Sequence, residues 1–190
     1  MQEADELFEK IIKKFGSKST QVWVNYARFL HAELGDVTRA RGLIKRATKS
    51  LGSETHINLA LLPKFAALEF RSPNGDRETG RTLFEQLLSV YPKKFDLWNQ
   101  LMDLETSPSL SGDSGSGVDA GVIRDLFDRG SKVKGLKPKQ AKTWFRRWAK
   151  WEEENGDKKS RERVSAKAME WAKLRKGGGD DEKEDEADEE

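Results

Sequence analysis

Lys139, Lys142, Arg146 and Lys150 follow one another at spacings of three, four and four residues, so a helix through them lines up four cations on one stripe. Arg147 lies beside it. Such a stripe is suited to binding phosphate or the carboxylates of an acidic partner, yet basic helix faces are also often simply solvated, and both readings stay open. Other chemistry is sparse. His31 and His56 have no acid or thiol partner nearby in sequence, which predicts surface or core-edge histidines. Gly112-Asp113-Ser114-Gly115 echoes a serine-protease nucleophile segment, but a helical chain supplies neither the fold nor a positioned base, so linker composition is the reading. In Glu152-Glu153-Glu154 one carboxylate belongs to a repeat pattern and two belong to a solvated face. With no metal-ligand spacing and no phosphate-binding glycine loop, the expectation is no catalytic residue, no metal and no cofactor. No small-molecule substrate is expected either.

The elements that hold these residues repeat. Ala40-Arg41-Gly42-Leu43-Ile44, Gly80-Arg81-Thr82-Leu83-Phe84, Ile123-Arg124-Asp125-Leu126-Phe127 and the looser Glu162-Arg163-Val164 place arginines 40, 43 and 39 residues apart. A period of this length without strand signals predicts an all-α solenoid of stacked helical hairpins, about nine helices in all. Residues 4–15 read as the second helix of a hairpin whose first helix is missing, because Leu7-Phe8-Glu9 matches Leu83-Phe84-Glu85. Four hairpins follow. Their first helices carry Trp23, Tyr26 and Leu30; Leu62, Phe65 and Glu69; Trp98, Leu101 and Glu105; and Phe145, Trp148 and Glu152. The dipeptides Gly35-Asp36, Gly75-Asp76 and Gly156-Asp157 are expected to turn each hairpin, glycine in the left-handed conformation and aspartate as the next cap. An inward arginine needs a partner, so Glu69 with Arg81, Glu105 with Arg124 and Glu152 with Arg163 are expected to link the two helices of one hairpin.

Residues 1–176 are expected to form one repeat domain, with a mobile Ser/Gly-rich insert at 106–118 and a disordered acidic tail at 177–190. Residues 180–190 hold nine acidic side chains and one Lys, leaving the rest of the chain with 34 Lys and Arg against 24 Asp and Glu. The body is thus basic. Residues 129–176 alone carry 17 basic and six acidic side chains, which marks the last repeat as the main electrostatic surface. Cysteine is absent, and no apolar run approaches a membrane span or a signal peptide, so a soluble, membrane-free intracellular chain is expected.

The pattern resembles the half-a-tetratricopeptide (HAT) repeat of RNA-processing proteins, which is TPR-like, over residues 4–175. Lys64-Phe65-Ala66-Ala67-Leu68-Glu69-Phe70-Arg71-Ser72-Pro73-Asn74-Gly75-Asp76, Gly80-Arg81-Thr82-Leu83-Phe84-Glu85, Tyr91-Pro92-Lys93-Lys94 and Asp96-Leu97-Trp98 narrow the likeness. They resemble the carboxy-terminal HAT domain of the ribosomal-RNA-processing protein 5 family, whose animal members are called programmed cell death protein 11. Leu136-Lys137-Pro138-Lys139-Gln140-Ala141-Lys142, Arg147-Trp148, Glu152-Glu153 and Gly156-Asp157 are similar to its final repeat. The segment Thr106–Asp119 departs from that family's tighter pattern.

The resemblance implies a non-enzymatic scaffold in a nucleolar factor. Upstream S1 domains would grip precursor rRNA or snoRNA-containing particles, while this domain docks early small-subunit assembly factors for 18S maturation. The alternatives are a HAT scaffold of a splicing or 3′-end machine, or direct RNA binding through the basic last repeat.

Overall fold

A computed structural model describes residues 2–52, 54–107 and 119–177, and among them the chain is all-α, with nine α-helices and no strand. They are α1 (Gln2–Phe15), α2 (Thr20–Arg28), α3 (Val37–Leu51), α4 (Thr55–Arg71), α5 (Arg77–Val90), α6 (Phe95–Thr106), α7 (Ala120–Ser131), α8 (Pro138–Asn155) and α9 (Lys158–Gly177). A π-helical stretch, Phe29–Glu33, continues α2. Of the expected insert, Thr106 ends α6 and Ser107 follows it; residues 108–118, and the tail from 178 onward, lie outside the described residues. The chain divides into two compact units, Met1–Leu126 and Phe127–Glu190, with α7 carrying the division.

In the first unit α2 packs on α3, and α4 on α5, as hairpins. Successive first helices, α2, α4 and α6, pack on one another, and each second helix packs on the first helix that follows. Trp23, Tyr26, Leu30, Leu43, Ala47, Leu61 and Phe65 form a continuous core that α1 closes through Ile12 and Phe8. The Phe8 ring stacks on Tyr26 at 5.1 Å. Leu62 was expected in this stripe, but it is half-buried, and Leu61 is the fully buried residue. Leu61, Phe65 and Glu69 are spaced four and four, which holds the α4 stripe on one face. Pro63 sits inside α4, where it withholds the N–H that would bond the Leu59 carbonyl.

The hairpin turns use their aspartates as expected and their glycines differently. Asp36 accepts from the Arg39 N–H at 3.0 Å, Asp76 from the Glu78 and Thr79 N–H groups at 3.2 and 3.1 Å, and Asp157 from Ser160 at 2.7 Å. Only Gly35 of the three glycines has a positive φ, 67°. Gly75 and Gly156 are there because the backbone or side chain of the repeat glutamate comes too close for a Cβ: at Gly75 that atom would lie 2.2 Å from the Glu69 carbonyl oxygen. Gly75→Ala is therefore expected to push the α4–α5 turn apart and cost about 2 kcal/mol. An unchanged urea midpoint would contradict that close approach.

The second unit is built on aromatic rings. Phe127 stacks on Trp148 at 5.4 Å and meets Trp144 edge-on at 5.2 Å, and the Trp144 indole N–H donates to the Phe127 carbonyl at 2.9 Å. Phe145 packs on Trp148, and α8 and α9 form a hairpin closed by Val164. Pro138 starts α8 with its φ already helical, and the Gln140 side chain accepts from the Lys137 N–H at 3.0 Å.

Candidate functional site

Two polar systems stand out: carboxylates buried between successive hairpins, and the cationic face of α8. Glu69, on α4, is 3% exposed and takes Arg41 of the preceding hairpin in a two-pronged pair, Nε to Oε1 at 2.7 Å and Nη2 to Oε2 at 2.9 Å. Glu105, on α6, takes Arg81 in the same geometry at 2.6 and 3.0 Å. The expected pairing is thus corrected. Glu69 receives Arg41 and not Arg81, and Glu105 receives Arg81 and not Arg124, so the ties join one hairpin to the next instead of closing each hairpin on itself. The reason is geometric. The arginine leaves the outward side of a second helix, and the next first helix covers that side. Arg163 is exposed on α9 and makes no pair with Glu152, which is buried and accepts from the Trp148 indole N–H at 3.3 Å.

Each tie recruits backbone as well. The Glu69 carboxylate also accepts from the Asp76 N–H at 3.0 Å, so it bonds the turn that Gly75 lets it approach. At the second junction Arg77 donates to the carbonyls of Leu104, Glu105 and Ser107 at 2.9–3.1 Å, capping α6 where the helix dipole is negative. Its guanidinium also lies over the Phe70 ring at 5.1 Å.

His31 belongs to the first tie, which its sequence neighbours gave no sign of. The π-helical stretch sends Leu30 and His31, adjacent in sequence, both into the interior. His31 Nδ1 lies 2.8 Å from Ser72 Oγ, and Nε2 lies 3.4 Å from Glu69 Oε2. The core-edge or surface placement expected for this histidine is therefore wrong, since it is 2% exposed. His56, by contrast, is exposed.

The first junction inverts the charges. In the repeat alignment Asp5 stands where Arg41 and Arg81 stand, and Leu30 stands where Glu69 and Glu105 stand. Asp5 instead meets Arg39 at 3.0 Å and accepts from the Tyr26 hydroxyl at 2.7 Å, while Glu9 takes Arg46 at 2.8 and 2.9 Å. Burial, followed by the Asp5 and Glu9 carboxylates, raises the Tyr26 pKa far above its ordinary value.

Burial opposes ionisation of Glu69, but the Arg41 hydrogen bonds, the Asp76 N–H and the Arg41 and His31 charges outweigh it and hold the carboxyl below its ordinary value of 4.5. Because its folded pKa is depressed, the stabilisation is complete above the unfolded value. It is lost as pH falls through the folded one. Arg41→Met is therefore expected to lower stability most near neutrality, the gap to the parent chain narrowing as pH falls below about 4.5. A gap that stays constant from pH 7 to the acid limb, measured by urea unfolding at each pH, would contradict the tie.

On α8 the side chains of Lys139, Lys142, Arg146 and Lys150 are exposed, and Arg147 is half-buried. The buried rings of Trp144, Phe145 and Trp148 hold the opposite face. Lys167 of α9 turns inward to pair with Asp128 and lies over the Trp148 ring at 5.8 Å. Among the described residues no group of three or more His, Cys, Asp or Glu is placed to hold a metal, and no helix is long and apolar enough to cross a membrane.

The fold and these ties define a helical-repeat domain. No family model matches the chain. It is 38% identical over 168 residues, 88% of its length, to rRNA biogenesis protein rrp5 of Schizosaccharomyces pombe, and covers 9% of that protein. Over 174 residues, 92% of the chain, it is 32% identical to Protein RRP5 homolog of Homo sapiens, covering 8% of it. To rRNA biogenesis protein RRP5 of Arabidopsis thaliana it is 35% identical over 170 residues. The chain belongs to the RRP5 family, and it spans less than a tenth of the length of the curated relatives it matches.

Proposed function

We propose that this domain is a non-catalytic docking module of a nucleolar rRNA biogenesis factor, serving pre-rRNA processing and assembly of the small ribosomal subunit. The observation that carries the reading is the identity of 38% and 35%, along about nine-tenths of the chain, with proteins named for rRNA biogenesis in Schizosaccharomyces pombe and Arabidopsis thaliana, and of 30–32% with the RRP5 homologs of Mus musculus and Homo sapiens. The hairpins suit the role. Repeat stacks hold partners along extended faces, and ties made of buried carboxylates keep the register of those faces fixed. Partners are early pre-ribosomal assembly factors, and pre-rRNA contacts by the whole protein fall mainly to S1 domains elsewhere in it.

The test is deletion of the matching segment from a full-length relative in its own cells. Precursors of 18S rRNA accumulate while large-subunit rRNA continues to form. Normal 18S production without the segment would sink the proposal.

The four exposed cations of α8 favour a second reading, direct contact with RNA phosphates. Binding of the domain to RNA that falls steeply with salt and disappears in Lys142→Glu/Arg146→Glu would support it over docking to protein alone.

A further inference from the structure

The cationic face of α8 has a candidate occupant in the same chain. Lys139, Lys142, Arg146 and Lys150 are all exposed along about 17 Å of helix, at 1.5 Å per residue. The hairpin brings the far end of α9 back beside the start of this stripe, where Arg175 donates to the Leu136 carbonyl at 3.4 Å. The chain therefore leaves α9 near Leu136, three residues before Lys139 at the near end of the stripe. Thirteen more residues follow Gly177, with nine carboxylates and one Lys among 180–190. Fully extended, thirteen residues reach about 43 Å, more than twice what the stripe requires.

Charge decides the direction of the interaction. The stripe and its surroundings hold 17 basic against six acidic side chains over residues 129–176, and the final eleven residues carry the opposite sign in higher density. Within about one Debye length, 8 Å at physiological salt, such opposed charges attract appreciably. A tether this short keeps the acidic segment at an effective concentration of order millimolar, so weak pairing suffices for occupancy.

We propose that residues 180–190 dock intramolecularly on the Lys139, Lys142, Arg146 and Lys150 face, and that any polyanion or acidic partner of that face must displace them. The segment acts as an internal competitor. It sets a threshold that a weak, non-specific anion does not pass and a strong multivalent partner does. This inference does not depend on the rRNA role, because it concerns only what the face binds in the isolated chain.

Zero-length carbodiimide coupling of carboxylates to lysines in the unmodified full chain, read by mass spectrometry, tests it. Crosslinks from residues 180–190 are expected at Lys139, Lys142 and Lys150 at low salt, and in Lys142→Glu/Arg146→Glu those to Lys139 and Lys150 should fall away. Crosslinks absent from α8, or spread equally over exposed lysines such as Lys10, Lys13 and Lys45, would overturn the proposal. A second readout uses poly(U) RNA as the probe. If the tail occupies the face two-thirds of the time, removing residues 178–190 raises apparent affinity about threefold, and the same double charge reversal cancels the gain. Equal poly(U) binding with and without the tail would also overturn it.

Discussion

Trp98→Ala is expected to destabilise the chain by about 3–5 kcal/mol. Trp98 is 5% exposed on α6, and its indole N–H donates to the Pro92 carbonyl at 3.0 Å across the α5–α6 turn. Truncation removes the ring and also the donor that fixes the turn. Alanine leaves a void between two helices that the ties hold at fixed spacing, so collapse around it is limited. Urea unfolding followed by far-UV circular dichroism measures the cost, and a loss below about 1 kcal/mol would show that the α6 stripe is not a core element.

Arg81→Met is expected to cost about 3 kcal/mol, more than the reciprocal Glu105→Gln. The asymmetry follows from exposure. The Glu105 side chain is 4% exposed, so losing Arg81 removes both of its short hydrogen bonds and leaves the interior carboxylate only the longer ion pair with Arg77 at 3.6 Å. Arg81 itself is 33% exposed, and water can serve its guanidinium once the carboxylate is neutralised. Glu105→Gln should therefore cost only about 1 kcal/mol. Equal losses for the two variants, measured by the same unfolding assay, would mean that the carboxylate is better solvated than its burial indicates.

Much of this architecture is legible in the sequence because it rests on periodicity. Trp23 with Tyr26, Trp98 with Leu101, and Phe145 with Trp148 each lie three apart, which places them on one helix face, and each pair is buried. The turns are half legible. An aspartate that caps a helix acts through neighbours in sequence, so Asp36, Asp76 and Asp157 can be read directly. Gly75 answers a close approach by Glu69, six residues away, and a left-handed turn cannot be told from such an approach by residue type alone.

The ties show where sequence reading stops. Arg41 lies 28 residues before Glu69 and Arg81 lies 24 before Glu105, while the pairing inside one hairpin would run over 12 from Glu69 to Arg81. Shorter separation favours the internal pair, and nothing in the residue types opposes it. Only the stacking of a second helix on the next first helix decides. His31 was hidden for a related reason: a π-helical turn shifts the face that a regular helix would present, and no residue in Phe29–Glu33 announces it.

Each tie runs from one hairpin to the next. A pair of double-mutant cycles on unfolding free energy tests it most directly, Arg81→Met with Glu105→Gln and Arg81→Met with Glu69→Gln. A coupling of about 1.5 kcal/mol or more is expected for Arg81 with Glu105, and additive effects within about 0.5 kcal/mol for Arg81 with Glu69. The reverse result, coupling to Glu69 and additivity with Glu105, would contradict this arrangement and return the arginine to its own hairpin.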